Sequence, residues 1–207
     1  MENGYKNTLA KYLPEGTVDI IFGWIIEHHI HLRISRGRIT KMGDYRPPVK
    51  TGIHRISVNH NLNPYDFLIT LVHEIAHLLV WEQFRNRVKP HGKEWKIQYR
   101  QLMDHFLGQG IFPPEVEAAL RKYLLKSTAA RVSDLELSRI LQAYNSDVPG
   151  IQLEDLPDNA IFSIAGGRTF QKGEKLRKRF RCLNLENRKV YLISPLCSVV
   201  PLNAKDQ

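Results

Sequence analysis

The sequence predicts an α+β chain: a helix-rich domain with a small mixed sheet, followed by a small all-β C-terminal module. Three observations predict it. Residues 67–80 are apolar on nearly every side, the mark of a helix buried on most faces. Short alternating runs before that helix read as strands. After Pro149-Gly150 helical periodicity gives way to short strand-like runs separated by Gly-Gly, Lys-Gly and Asn-Arg-Lys turns. The 207 residues accordingly divide into a domain over 1–125, a helical connector over 126–150 and a basic β-rich module over 151–207.

Taken in order, residues 15–27 cluster enough apolar side chains for a buried helix, which Gly23 weakens. Residues 31–34 and 38–41 read as two strands joined in a hairpin at Arg36-Gly37. Pro47-Pro48 breaks the chain. A third strand over 52–59 then puts His54, Ile56 and Val58 on one face and Arg55 and Ser57 on the other. Asn63 is an N-cap, Pro64 takes the first helical position, and Asp66 opposes the dipole in the first turn of the buried helix. Further helices are expected from 92 to about 107, where Gly108 is a natural stop, and over 115–125 after Pro113-Pro114. A fourth is expected over 133–144, with Ser133 as N-cap and Glu136 completing a capping box. In the module, strands are expected over 160–164, 180–185 and 190–194.

Hydrophobic residues at 43% and charged residues at 25% exclude disordered and coiled-coil chains. No apolar run approaches the roughly 18 residues of a membrane span. The N-terminus lacks a basic segment followed by an apolar stretch, so no secretory signal is expected. Cys182 and Cys197 are too few for a disulfide framework or a four-cysteine zinc site, and each is expected to be a buried apolar thiol. These features predict a cytoplasmic protein without a membrane partner. The net charge of +9 is unevenly placed: from Arg168 to Lys189, nine Lys/Arg meet two Glu, leaving +2 for the rest. All nine histidines lie in the other half, before residue 106.

Within the buried helix lies His73-Glu74-Ile75-Ala76-His77, an HExxH match. Residues four apart share a helix face, so both imidazoles can reach one metal ion. Glu74 lies about 100° round the helix, where its carboxylate can sit near a water on that metal. Zinc on three protein ligands keeps a fourth position open, brings its water to a pKa of about 7 and polarises a carbonyl. Glu74 then takes the proton as water attacks a peptide carbon and hands it to the leaving nitrogen. Three polar side chains in so apolar a helix need partners, and a metal supplies them. The third ligand stays open between Glu94, His91 in the Pro90-His91-Gly92 turn, and His105 further along. A motif extended by Gly at 80 and His at 83 is excluded by Val80 and Gln83.

Together, Gly52-Ile53-His54-Arg55-Ile56-Ser57, Leu71-Val72-His73-Glu74-Ile75-Ala76-His77 and His91-Gly92-Lys93-Glu94-Trp95-Lys96 resemble the SprT-like metallopeptidase family, which includes the Spartan DNA–protein crosslink proteases. Its members share a strand before HExxH and a third zinc histidine in an HG-x-x-[FW]-[KR] segment. The resemblance spans about residues 5–125. It implies a zincin-like domain with one Zn2+ per chain on His73, His77 and His91, and with Glu74 as catalytic acid and base. Glu94 and His105 then fall to structural or supporting roles. In this light the strand over 52–59 is either the one that pairs with an extended substrate backbone or a plain structural strand. Many bacterial members end in a zinc ribbon of CxxC pairs, which Cys182 and Cys197 do not form, so no second zinc is expected. Tyr99, Arg100 and His105 are near in sequence, but none is singled out to steady an oxyanion.

Lys172, Lys175, Arg177, Lys178, Arg179 and Arg181 crowd one stretch, interleaved with Phe170 and Phe180. Such a strip can neutralise phosphates and release counterions without reading sequence. The two aromatics either stack on unpaired bases or fill the small core. The function expected is a zinc-dependent metalloendopeptidase acting on DNA-associated or DNA-crosslinked proteins, with a protein substrate and DNA as partners. The alternative is a non-hydrolytic zinc-containing nucleic-acid-associated factor, in which Glu74 has no evident task.

Overall fold

The computed structural model describes residues 2–38, 41–48, 52–125, 134–145 and 150–202, and the chain divides into two units, Met1–Arg131 and Val132–Gln207. The first runs α1 (Glu2–Leu9), α2 (Val18–Glu27), β1 (Ile30–Ser35), β2 (Gly43–Arg46), β3 (His54–Asn59), α3 (Pro64–Phe84), α4 (Lys93–Asp104) and α5 (Pro114–Leu125). Helix α1 escapes the sequence reading because it is polar and buries only Leu9.

Helix α3 starts where its cap residues dictate. The Asn63 side chain accepts from the Asp66 amide at 3.0 Å, and Pro64 occupies the first turn. The helix runs one turn beyond its all-apolar stretch and buries Phe67, Leu71, Ile75 and Leu78 completely. Helix α4 contributes a narrower stripe, Trp95, Tyr99, Leu102 and Met103, at the spacing of one helical face, and packs against α3. Each fully buried side chain of this size contributes about 1.5–3 kcal/mol.

The sheet order is β1-β3-β2, with β1 parallel and β2 antiparallel to the central β3. This corrects the expected hairpin: β1 and β2 are not neighbours, and the second described strand is Gly43–Arg46, while residues 39 and 40 of the expected strand over 38–41 lie outside the described residues. The reason lies in Arg38. Its Nε donates to Asn59 Oδ1 at 2.8 Å and Nη1 to Ser57 Oγ at 3.1 Å. These bonds hold the segment after β1 across the end of β3, and the chain then returns along β3's far edge. Ile56 and Val58 are buried on the face that meets α3, while Arg55 is exposed on the other.

The second unit holds α6 (Leu135–Gln142) and an antiparallel five-stranded sheet in the order β7-β6-β5-β4-β8. Its strands are β4 (Ile161–Ser163), β5 (Thr169–Lys175), β6 (Phe180–Asn184), β7 (Val190–Ile193) and β8 (Val200–Leu202). Asp134 caps α6, accepting from the Leu137 amide at 3.2 Å, one residue later than the expected Ser133, which lies outside the described residues. The helix is tied to the sheet unit through Gln142, which donates to the Leu196 carbonyl, and Arg139, which pairs with Glu154. Strand β5 was not evident from the sequence. Its Gly173 sits at a bulge so close to β6 that a Cβ would lie 2.5 Å from the Arg181 carbonyl oxygen. No described helix is long and apolar enough to cross a membrane.

Candidate metal centre

Helix α3 presents His73 and His77 one turn apart, and the turn before α4 delivers His91. That turn is tight: Gly92 donates to the Lys89 carbonyl at 2.9 Å, and His91 adopts φ +59°, a left-handed conformation uncommon for a residue with a side chain. The three Nε2 atoms converge, His73–His91 at 3.0 Å, His73–His77 at 3.2 Å and His77–His91 at 2.9 Å. Burial, reinforced by the charge of His91, pushes His77 down to about 4, and burial also lowers His91. Both rings therefore stay neutral at neutral pH, each with a lone pair to give. An imidazole N–H aimed into this triangle serves one neighbour well and leaves the third nitrogen facing it. A cation satisfies all three at once. Tetrahedral coordination at about 2.0–2.1 Å separates ligand nitrogens by about 3.3 Å, slightly more than is seen here. The residues present fit a metal ion, and His73, His77 and His91 form a group that could hold one. Glu94 is not part of that group among the described residues.

The three rings rest on one indole. Trp95, almost fully buried, lies with its ring centroid 4.5, 5.3 and 4.8 Å from those of His73, His77 and His91, and is stacked in turn on Tyr99 at 4.8 Å. It sits one turn into α4, so α3, the His91 turn and α4 are locked around a common rigid surface. Tyr99, Arg100 and His105 are all committed elsewhere. Tyr99 donates to the Ile69 carbonyl, Arg100 donates to the Leu124 carbonyl at 2.6 Å, and His105 packs edge-on against Trp24.

Glu74 is buried, and burial with the nearby Asp44 charge raises its carboxyl to about 8, against the opposing pull of Arg38, Lys41 and the Tyr45 amide, which donates to it. Strand β2 passes directly over this side chain. A Cβ on Gly43 would lie 2.5 Å from Glu74 Oε1 and 2.8 Å from its Cγ, so glycine is required there by close approach. The neighbouring Tyr45 places its hydroxyl 2.9 Å from His54 Nδ1, and burial raises its phenol well above the usual range, so it remains a donor. His54 Nε2 faces Glu82 at 3.4 Å, and the other Glu82 oxygen lies 3.2 Å from His28 Nδ1. A chain of polar contacts thus ties β2 to β3, α3 and the end of α2. None of Gly43, Tyr45 or Glu82 was singled out by sequence, because nothing local marks a glycine that must pass over a side chain 31 positions away.

The strand over 52–59 does not offer itself to a substrate backbone. As β3 it has β1 on one edge and β2 on the other, and its ladder bonds are spent. The strand that lines the Glu74 side with a free outer edge, among the described residues, is β2.

In the second unit the basic strip divides. Lys172 is buried, its ammonium donating to the Leu156 carbonyl and, at 3.3 Å, to that of Glu154, and it lies over the Phe180 ring. Lys175, Arg177, Arg179 and Arg181 are exposed and Lys178 is half-buried. Arg181 pairs with Glu174 at 3.0 Å, and Arg179 donates to the Leu192 carbonyl. Phe170 and Phe180 belong to the core with Phe162 and Cys182, which removes them as stacking platforms for bases. Cys182 is fully buried and Cys197 half-buried, both as free thiols.

The SprT-like family model matches residues 19–122, which is half of the chain. Protein SprT of Klebsiella pneumoniae (strain 342) is 51% identical over 47 residues, 22% of this chain and 25% of the relative. Protein SprT of Glaesserella parasuis serovar 5 (strain SH0165) is 55% identical over 31 residues, 15% of this chain and 19% of the relative. Protein SprT of Escherichia coli (strain K12) is 58% identical over 36 residues, 17% and 19% respectively. The matched stretches thus span a quarter or less of these relatives' own length. No solved structure matches the chain. With the family match running from α2 through α5 and enclosing the three converging histidines, the chain belongs to the SprT-like family.

Proposed function

We propose that this chain is a zinc metallopeptidase of zincin-like architecture that hydrolyses peptide bonds in DNA-associated or DNA-crosslinked proteins. The observation that carries the reading is the convergence of the His73, His77 and His91 Nε2 atoms within 3.2 Å, with Glu74 next in sequence to one of them. Zinc, when bound, supplies a Lewis acid that polarises the scissile carbonyl and acidifies water.

The rest is done by the chain's own residues. Glu74, whose carboxyl pKa burial raises in the metal-free chain and a dication on the three histidines would draw back down, accepts the proton of the attacking water and returns it to the leaving nitrogen. The Tyr45 amide and the close passage of Gly43 hold that carboxylate in one position. The open edge of β2 can add an extended substrate as a further strand, giving affinity through main-chain bonds without strong sequence preference. The exposed Lys175, Arg177, Arg179 and Arg181, with Lys178 beside them, supply charge for a nucleic acid to which the substrate is attached.

Metal content per chain and cleavage of an unstructured protein, measured on the same preparations, test this. Glu74→Gln is expected to keep zinc and lose hydrolysis, and His77→Ala or His91→Ala to lose both. Zinc retained in His91→Ala, or hydrolysis retained in Glu74→Gln, overturns the assignment.

A further inference from the structure

The three-stranded sheet has one face under helices and, among the described residues, one bare. Strand alternation puts Arg33 on the bare face of β1, Arg55 and Ser57 on that of β3, and Asp44 and Arg46 on that of β2. Arg36 and Arg38 join them from the segment leaving β1. These side chains line a groove of about 1050 Å³. The register makes the charge more concentrated than the sequence suggests. Arg46 lies directly opposite Arg55, and Arg55 lies beside His31 in the same cross-strand row. Like charges placed opposite one another destabilise a strand pair.

Little within the fold neutralises this surplus. The groove's one carboxylate, Asp44, is already shared between Lys41 at 2.8 Å and Arg46 at 3.0 Å. Arg38 is folded onto Asn59 and Ser57, with no carboxylate among its bonds. Arg33, Arg36 and Arg55 have no ion pair among the described residues.

We propose that this face is a second nucleic-acid site, on the first unit, that holds a sugar–phosphate backbone across β1, β3 and β2. Arginine forks grip phosphate oxygens in pairs, and phosphates recur along a strand as the arginines recur across the sheet. An acidic peptide fits less well. Peptides gain affinity from sheets by pairing with an edge, whereas on a face the backbone groups are already used in the ladder. Among the described residues no Phe, Tyr or Trp lines the groove and His31 is its sole ring, so binding is dominated by charge with little preference among sequences. This site is separate in sequence from the C-terminal strip and does not depend on the peptidase reading, because binding is measured without cleavage.

The test is the affinity of the full chain for a fluorescein-labelled oligodeoxynucleotide, followed across salt concentration. The variants are Arg33→Gln/Arg46→Gln/Arg55→Gln on the face and Lys175→Gln/Arg177→Gln/Arg179→Gln on the strip. The face variant is expected to lose at least about tenfold in affinity and to lower the log–log salt slope by about 2, three contacts at roughly 0.7 each. The corresponding Arg→Lys variant restores most of the slope. If the triple variant fails to fold, Arg33→Glu alone reads the same slope from an exposed position, with an expected loss of about 1. A face variant with wild-type affinity and slope overturns the proposal. So does one that loses affinity for a polyglutamate peptide while binding the oligonucleotide normally, which marks the face as a peptide site.

Discussion

Gly43 and Glu74 are 31 residues apart in the chain and in contact in the fold, and the contact decides where the carboxylate sits. A methyl group on Gly43 meets Glu74 Oε1 and Cγ at distances no ordinary packing tolerates, and Thr70 Cγ2 at 2.9 Å closes the same space. Gly43→Ala is therefore expected to leave zinc content unchanged while lowering cleavage by about 100-fold, the scale of a misplaced catalytic group. Metal analysis beside cleavage kinetics checks it, and equal losses of both would mean that the strand and the metal ligands move together. At this scale the sequence was partly legible. His73 and His77 were readable because helical periodicity is local. His91 was one of three open candidates until the family pattern singled it out, because a left-handed turn residue delivers it. Trp95 appeared only as part of a motif, and its place beneath three imidazoles follows from where α4 docks.

Strand β2 is short and carries the sequence Gly-Asp-Tyr-Arg, with no apolar alternation to announce it. Its place depends on Arg38 bonding to β3 and on Tyr45 reaching His54, both long-range events. Burial lowers the His54 pKa from the 6.5 of a free imidazole; Glu82 opposes the shift, and His28, Arg85 and His29 reinforce it. The neutral ring is thus favoured in the folded state. Its stabilisation is complete above about pH 6.5 and is lost as pH falls through the lowered value, because the unfolded chain takes up the proton first. In metal-free protein, the melting temperature should fall between pH 6.5 and 5 more steeply in wild type than in His54→Gln. Parallel profiles would remove His54 from the linkage.

Strand β5 shows the converse problem. It was hidden because Lys172 reads as surface charge, yet its stem is core and its ammonium serves two carbonyl oxygens. Lys172→Met is expected to cost about 1–3 kcal/mol in denaturant unfolding through the carbonyls it leaves without a donor. Its oligonucleotide affinity should match wild type. A loss of affinity with unchanged stability would return Lys172 to the binding strip.

Over the whole molecule, counting charge along the chain gives residues 168–189 a net +7 and all other residues together +2, a remainder that hides a first unit with 19 Lys/Arg against 12 Asp/Glu. The fold changes that picture without changing the count. One arginine from each strand, Arg33, Arg46 and Arg55, with Arg36 and Arg38 from the segment after β1, collects on one face, while the acids of the first unit are largely placed elsewhere. Helices α2 to α6, an α+β part followed by a β-rich part, and the His73–His77 pair were visible in the sequence because each rests on a periodic or short-range signal. Sheet order and the basic face were not, since both arise from register.

The central claim is that one metal-dependent centre, with Glu74 as its acid and base, cleaves protein held on nucleic acid. The most direct measurement is degradation of a DNA-bound basic protein by the zinc-loaded chain, with and without single-stranded DNA, beside Glu74→Gln. The account predicts DNA-stimulated cleavage by wild type and none by Glu74→Gln at equal zinc content. Intact substrate in every lane, with zinc and DNA both bound, would contradict it and leave a zinc-containing nucleic-acid-binding factor in its place.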